Sequence, residues 1–177
     1  VGDFVLNAKH WQLFLLLSST HVAPWFIRDA FVVELLVLLN ALLYFSWLAL
    51  LGNSLYRASG GFAHSLSWFL LDILILLVAV GFSAIIESDD FHVTTNSFEA
   101  HNTGSLPLVC VFFAALHTHW FPASLLLSAE QQQTPDFSNY LGTVVLIFSW
   151  PVGIWFIQPR LNQIQELSSA HDAHPFS

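Results

Sequence analysis

Residues 30–51 read AFVVELLVLLNALLYFSWLALL, an apolar stretch whose main polar interruptions are Glu34 and Asn40. An α-helix rises about 1.5 Å per residue and the hydrocarbon core of a bilayer is about 30 Å thick, so roughly 20 residues are needed to cross. This stretch meets that length. Two others do as well: residues 66–86, which hold Asp72, and residues 106–127, which hold His117 and His119. Two weaker runs flank them. Residues 11–27 are interrupted by Ser18, Ser19, Thr20 and His21, with Pro24 near the end. Residues 141–157 are short and carry Pro151 and Gly153. That last run either crosses or bends at Trp150–Pro151–Val152–Gly153 and returns to its own side.

Only helices and closed barrels satisfy their own backbone amides in lipid. The runs lack the alternation of barrel strands and are about twice the length such strands need. Leu dominates them, and Leu forms helices well. The reading is an all-α integral membrane helical bundle of four to five transmembrane segments, one domain over residues 1–177, with a polar tail from residue 161.

Composition agrees. Of 177 residues, 55% are hydrophobic and 9% charged, against about 25% charged in soluble domains. The net charge is −8, with Lys9, Arg28, Arg57 and Arg160 the fixed cations. Without a basic patch, nucleic acid is excluded as a partner. The lone Cys110 rules out a disulfide within one chain. Residues 1–8 show no basic n-region of a cleavable signal. Lys9 and Arg57 fall on one side if the first run spans, and the acidic stretch from Glu87 to Glu99 falls opposite. The positive-inside rule then puts the N-terminus in the cytoplasm. Arg28 runs against that rule.

Ionisable groups inside a membrane are expensive, about 2.5–3.5 kcal/mol for an Asp at mid-helix. Asp72 lies six residues from the start of its run, and His119 eight from the end of its own. Both are therefore roughly 9–12 Å from the same interface. The expected contact is Asp72 with His119, either as a proton relay or ligand-orienting pair, or as a polar contact that sets helix packing. His117 and His119 point about 200° apart on a helix and cannot readily share a metal ion. Haem would need a second axial residue from another helix; His21, His64 and Asp72 are the candidates, and none of the His pairs at matched depth on two strong helices. Asn40 reads as an interhelical hydrogen-bonding group. Asp89, Asp90 and His92, with Glu87 nearby, form a weak metal candidate or a solvated acidic turn. The pattern contains no His-Glu-x-x-His, no Gly-x-Ser-x-Gly and no phosphate-binding glycine loop. The sequence names no cofactor.

The end of the last run reads FSWPVGIWFIQPRLN, residues 148–162. With Lys9-His10-Trp11-Gln12-Leu13-Phe14 and Phe137-Ser138-Asn139-Tyr140, it resembles small multi-pass membrane proteins of unknown function from Bacteroidota. The resemblance covers both ends of the chain, and the middle by hydropathy alone. It implies an inner-membrane helical protein and carries over no catalytic residue. Read physically, Pro151 removes a helical hydrogen bond and Gly153 permits close approach. Gln158-Pro159-Arg160 should stop the helix, with Trp155 and Arg160 as interface anchors. Trp150, Pro151, Gly153, Trp155, Gln158, Pro159 and Arg160 then form either a kinked anchor or a docking corner for another membrane protein.

Two functions follow as expectations. One is a non-catalytic accessory or scaffold subunit of a larger membrane complex, in contact with lipid and other subunits. The other is a cofactor-, metal- or proton-handling membrane protein that uses Asp72, His117 and His119.

Overall fold

The computed structural model describes residues 9–59, 65–85, 91–93, 98–101, 105–131 and 137–173. Helix α1 is His10–Val22, followed by a 3-10 turn at Ala23–Trp25. Helix α2 is Ala30–Ala58 and α3 is Leu66–Ile85. Strands β1, Phe91–Val93, and β2, Phe98–Ala100, form an antiparallel hairpin. Helix α4 is Ser105–Gln131, α5 is Phe137–Phe148 and α6 is Trp150–Ala173. The fold is all-α, and α2, α3 and α4 are long and apolar enough to cross a membrane. The bent pair α5–α6 makes a fourth if counted as one span.

The hydrophobic runs mark where side chains meet hydrocarbon, not where the backbone stops being helical. Helix α2 therefore continues through Gly52 to Ala58, and α4 continues to Gln131. The α2 start is capped by Asp29, whose Oδ1 accepts the Val32 amide at 3.0 Å. A short carboxylate there satisfies one of the orphan donors of the first turn. Helix α1 has 13 residues, about 20 Å at helical rise, which is short of a straight crossing. Its polar end uses its own backbone: Ser19 Oγ donates to Leu16 O, and Thr20 Oγ1 donates to Leu17 O.

The described residues fall into two compact units. The first comprises residues 16–49 and 67–118. Its buried side chains include Leu17, Phe45, Leu48, Phe69, Leu76 and Val111. The hairpin belongs to it, with Phe91 opposite Ala100, His92 opposite Glu99 and Val93 opposite Phe98. Ser83 Oγ accepts the Val93 amide at 2.9 Å, which fastens the hairpin to the end of α3. Three-residue strands leave too little alternation to be read from sequence.

The second unit comprises the described residues of 9–15, 50–66 and 119–173. Phe121, Leu125, Leu126, Ile147, Ile154 and Ile157 are buried in it. Its main feature is a 120° bend between Ser138–Phe148 and Val152–Ile164. The α5 ladder ends as the Ser149 amide donates to Val145 O at 2.8 Å. The new helix begins at once, with the Val152 and Gly153 amides donating to Ser149 O at 3.0 and 2.8 Å. Pro151 suits a first turn, where its missing N–H has no partner to lose. Gly153 is required: a Cβ there would lie 1.7 Å from Leu146 O.

One reading of the C-terminal segment is corrected: Gln158-Pro159-Arg160 does not end the helix, which continues to Ala173 through the start of the polar tail. A proline removes one bond and kinks a helix without having to end it. Here Ile154, Ile157, Gln158 and Leu161 bury one face on both sides of Pro159 and hold the helix through it.

Candidate functional site: an Asp-His pair between two spans

Asp72 is the seventh residue of α3, and His117 lies near the middle of α4. Asp72 Oδ2 and His117 Nδ1 are in direct hydrogen-bonding contact. Both side chains are half-buried, 18% and 31% exposed respectively. With its proton on Nδ1 the imidazole donates to the carboxylate, which orients the ring and directs Nε2 the other way. Such a pair can take up or release a proton, or hold two helices in register.

The partner of Asp72 is thus His117, not the expected His119. Depth counted from Leu66 and Leu127 favours His119, whereas depth counted from the hairpin side favours His117: Asp72 is 13 residues from Ile85 and His117 is 12 from Ser105, about 20 and 18 Å. His119 is buried in the second unit, its ring 5.3 Å from that of Phe148. The two histidines do diverge around the helix, as two residues of α-helix require.

Asn40 joins helices as expected. Its Nδ2 donates to Leu17 O at 3.2 Å and to Thr20 Oγ1 at 2.9 Å, across from α2 to α1. Thr20 was not singled out from the sequence, though its hydroxyl completes this contact.

Arg160 is not a free interface anchor. Its Nε and Nη2 donate to Glu130 Oε1 and Oε2 at 2.7 and 2.6 Å, and its Nη1 to Thr143 Oγ1 at 3.2 Å. The planar guanidinium matches both carboxylate oxygens at once. This clamps α6 to the end of α4 and to α5. Glu130 and Thr143 were both missed; a lone acid just beyond a long apolar run was the available signal. Among the other C-terminal residues, Trp150 and Gly153 are buried, and Trp155 is exposed with its ring 5.7 Å from that of Phe14. Gln158 is buried and donates to Asn162 Oδ1 at 3.2 Å, while Pro159 is exposed.

Pro122, inside α4, also went unread. It lacks an amide, so the i→i−4 bond that residue 122 would donate to the Thr118 carbonyl is missing.

Asp89 and Asp90, like Glu87 and His64, lie outside the described residues. His92 stands opposite Glu99 in the hairpin. Among the described residues, no group of three or more His, Cys, Asp and Glu is placed to hold a metal ion.

No protein-family model, curated protein or solved structure matches the chain.

Proposed function

We propose that this membrane protein is a non-catalytic accessory or scaffold subunit of a larger membrane complex, seated in the inner membrane with its N-terminus in the cytoplasm. One observation carries the reading: three polar contacts join one helix to another. Asn40 ties α2 to α1, Asp72 and His117 tie α3 to α4, and Arg160 ties α6 to α4 and α5. Groups used in this way fix helix positions and so present a defined outer surface. The α5–α6 pair is read as re-entrant: the 120° bend and the Arg160–Glu130 contact bring α6 back to the end of α4.

The test is extraction from the native membrane in mild detergent, followed by measurement of native mass and subunit composition. A discrete complex with stoichiometric partners is expected. Elution alone, or as a homo-oligomer, overturns the reading.

The Asp72–His117 contact favours a second reading, proton handling between α3 and α4. On that reading Asp72→Asn abolishes any proton-linked activity while the fold survives. An unchanged phenotype with intact folding removes it.

A further inference from the structure

The helical hairpin of α1 and α2 ends in an exposed aromatic corner. Asn40 donates to Leu17 O and Thr20 Oγ1, so α1 turns back alongside α2 and the chain reverses between them. The reversal is stiff. Pro24 opens the 3-10 turn, the Phe26 amide donates to Ala23 O at 3.1 Å, and the Trp25 ring stands edge-on to that of His21 at 6.2 Å. Trp25, Phe26 and Phe31 are 75%, 81% and 73% exposed. Large rings clustered and held open in this way mark an interaction surface.

The position of the corner names its occupant. Phe31 heads a stripe along α2 formed by Leu35, Leu39 and Leu42, all exposed, on a helix long and apolar enough to cross a membrane. The stripe suits acyl chains, and the corner lies where they end. Asn40 is ten residues along α2 from Ala30, about 15 Å, or half the thickness of a hydrocarbon core. Arg28 sits in the corner, exposed, and makes no hydrogen bond or ion pair among the described residues. Its guanidinium stays charged at any pH the protein meets. The nearest carboxylates do not answer it. Asp29 Oδ1 accepts the Val32 amide, and Glu34, one turn into α2, forms no ion pair with it.

We propose that the α1–α2 corner is a phospholipid site, in which the Arg28 guanidinium donates to a lipid phosphate and the rings of Trp25, Phe26 and Phe31 enter the boundary between headgroups and acyl chains. Indole favours that boundary, and the planar fork of arginine matches phosphate oxygens. Phospholipid lines both surfaces of a bilayer, so the pairing supplies a counter-charge to a cation that runs against the positive-inside rule. The proposal does not rest on the accessory-subunit reading.

The test places a dansyl fluorophore at residue 26 of the full chain, through Phe26→Cys in a Cys110→Ser background. The labelled protein, with any subunits that co-purify, is reconstituted into vesicles of phosphatidylcholine and phosphatidylglycerol. One lipid carries a nitroxide quencher at the headgroup, high on the acyl chain or near its end. Headgroup and upper-chain quenchers should act most strongly and the chain-end quencher least. Labelled phosphatidylglycerol should quench more than labelled phosphatidylcholine. Arg28→Gln should lower that ratio about fivefold, the change expected for one basic side chain at an anionic surface, and Arg28→Lys should keep most of it. Thermal midpoints show that each variant still folds. Quenching by iodide in the buffer, with none by lipid, places the corner in water. Quenching by neither places protein over it, and strongest quenching at the chain end places it in hydrocarbon. Each of these overturns the proposal, as does a ratio that Arg28→Gln leaves unchanged. Whether stoichiometric partners co-purify is decided separately, so this proposal and the accessory reading can fail independently.

Discussion

Gly153→Ala puts the geometry of the C-terminal bend to a direct test. The added methyl carbon would lie 1.7 Å from the Leu146 carbonyl oxygen, 2.6 Å from its carbon and 3.4 Å from its Cα. All three are backbone atoms, so no side-chain rotation relieves the clash. Reaching an ordinary contact requires α6 to move away from α5 by well over an ångström. The motion pivots next to the Val152 and Gly153 amide bonds to Ser149 O and acts on the Arg160 clamp to Glu130 and Thr143. Loss of close packing at one point costs about 1–3 kcal/mol, and strain that also weakens a charged hydrogen-bond network adds to it. A total of about 3–5 kcal/mol is expected, at the severe end for single substitutions. Gly81→Ala and Gly142→Ala serve as controls, because nothing lies within 4 Å of a Cβ at either position. Both are inside helices, where Ala is favoured over Gly by about 0.5–1 kcal/mol. The assay is the apparent thermal midpoint in one detergent at a fixed scan rate. At about 2–4 °C per kcal/mol for a chain of this size, Gly153→Ala should fall by roughly 6–20 °C while the controls hold or rise by a few degrees. A Gly153→Ala midpoint within 1–2 °C of its controls would refute the bend as described.

Asn40→Leu should destabilise the protein by about 0.6–1.7 kcal/mol, the range measured for interhelical hydrogen bonds in membranes; Thr20, still bonded to Leu17 O, limits the loss. The thermal midpoint checks it, and a gain in stability would show that the α1–α2 contact is not maintained. Arg160→Met and Glu130→Gln should be strongly non-additive. A double-mutant cycle on stability should give a coupling of about 0.5–3 kcal/mol, and additive losses would show that the bidentate contact does not form. Ser83→Ala removes the acceptor of the Val93 amide; hydrogen exchange at Val93 should accelerate without a change at Leu76 in the middle of α3. Equal protection in the variant would count against the hairpin's attachment to α3.

The membrane fold was legible because it depends on run length and apolarity, which are local properties of the chain. Residues 30–51 needed no partner to be recognised as a helix long enough to cross. The site was half legible. Asp72 stood out because a carboxylate in an apolar run demands compensation, but its partner depends on how α3 and α4 are set side by side, which the ends of the apolar runs do not give. The sequence made His119 as good a choice as His117, and tertiary packing decided between them. The Arg160–Glu130 contact was not legible for a related reason: the two lie 30 residues apart, and no periodicity links them. The corner at Trp150–Pro151–Val152–Gly153 was readable from Pro and Gly chemistry alone. The persistence of α6 through Pro159 was not, because it is decided by the face that α6 buries.

The Arg160–Glu130 clamp also sets an order of events. It closes a loop whose two ends are made 30 residues apart, and the bend at Ser149 lies between them. During synthesis Glu130 is made 30 residues before Arg160, so the clamp cannot close until Arg160 itself has left the ribosome. A chain truncated between Gly153 and Arg160 carries the bend without its latch.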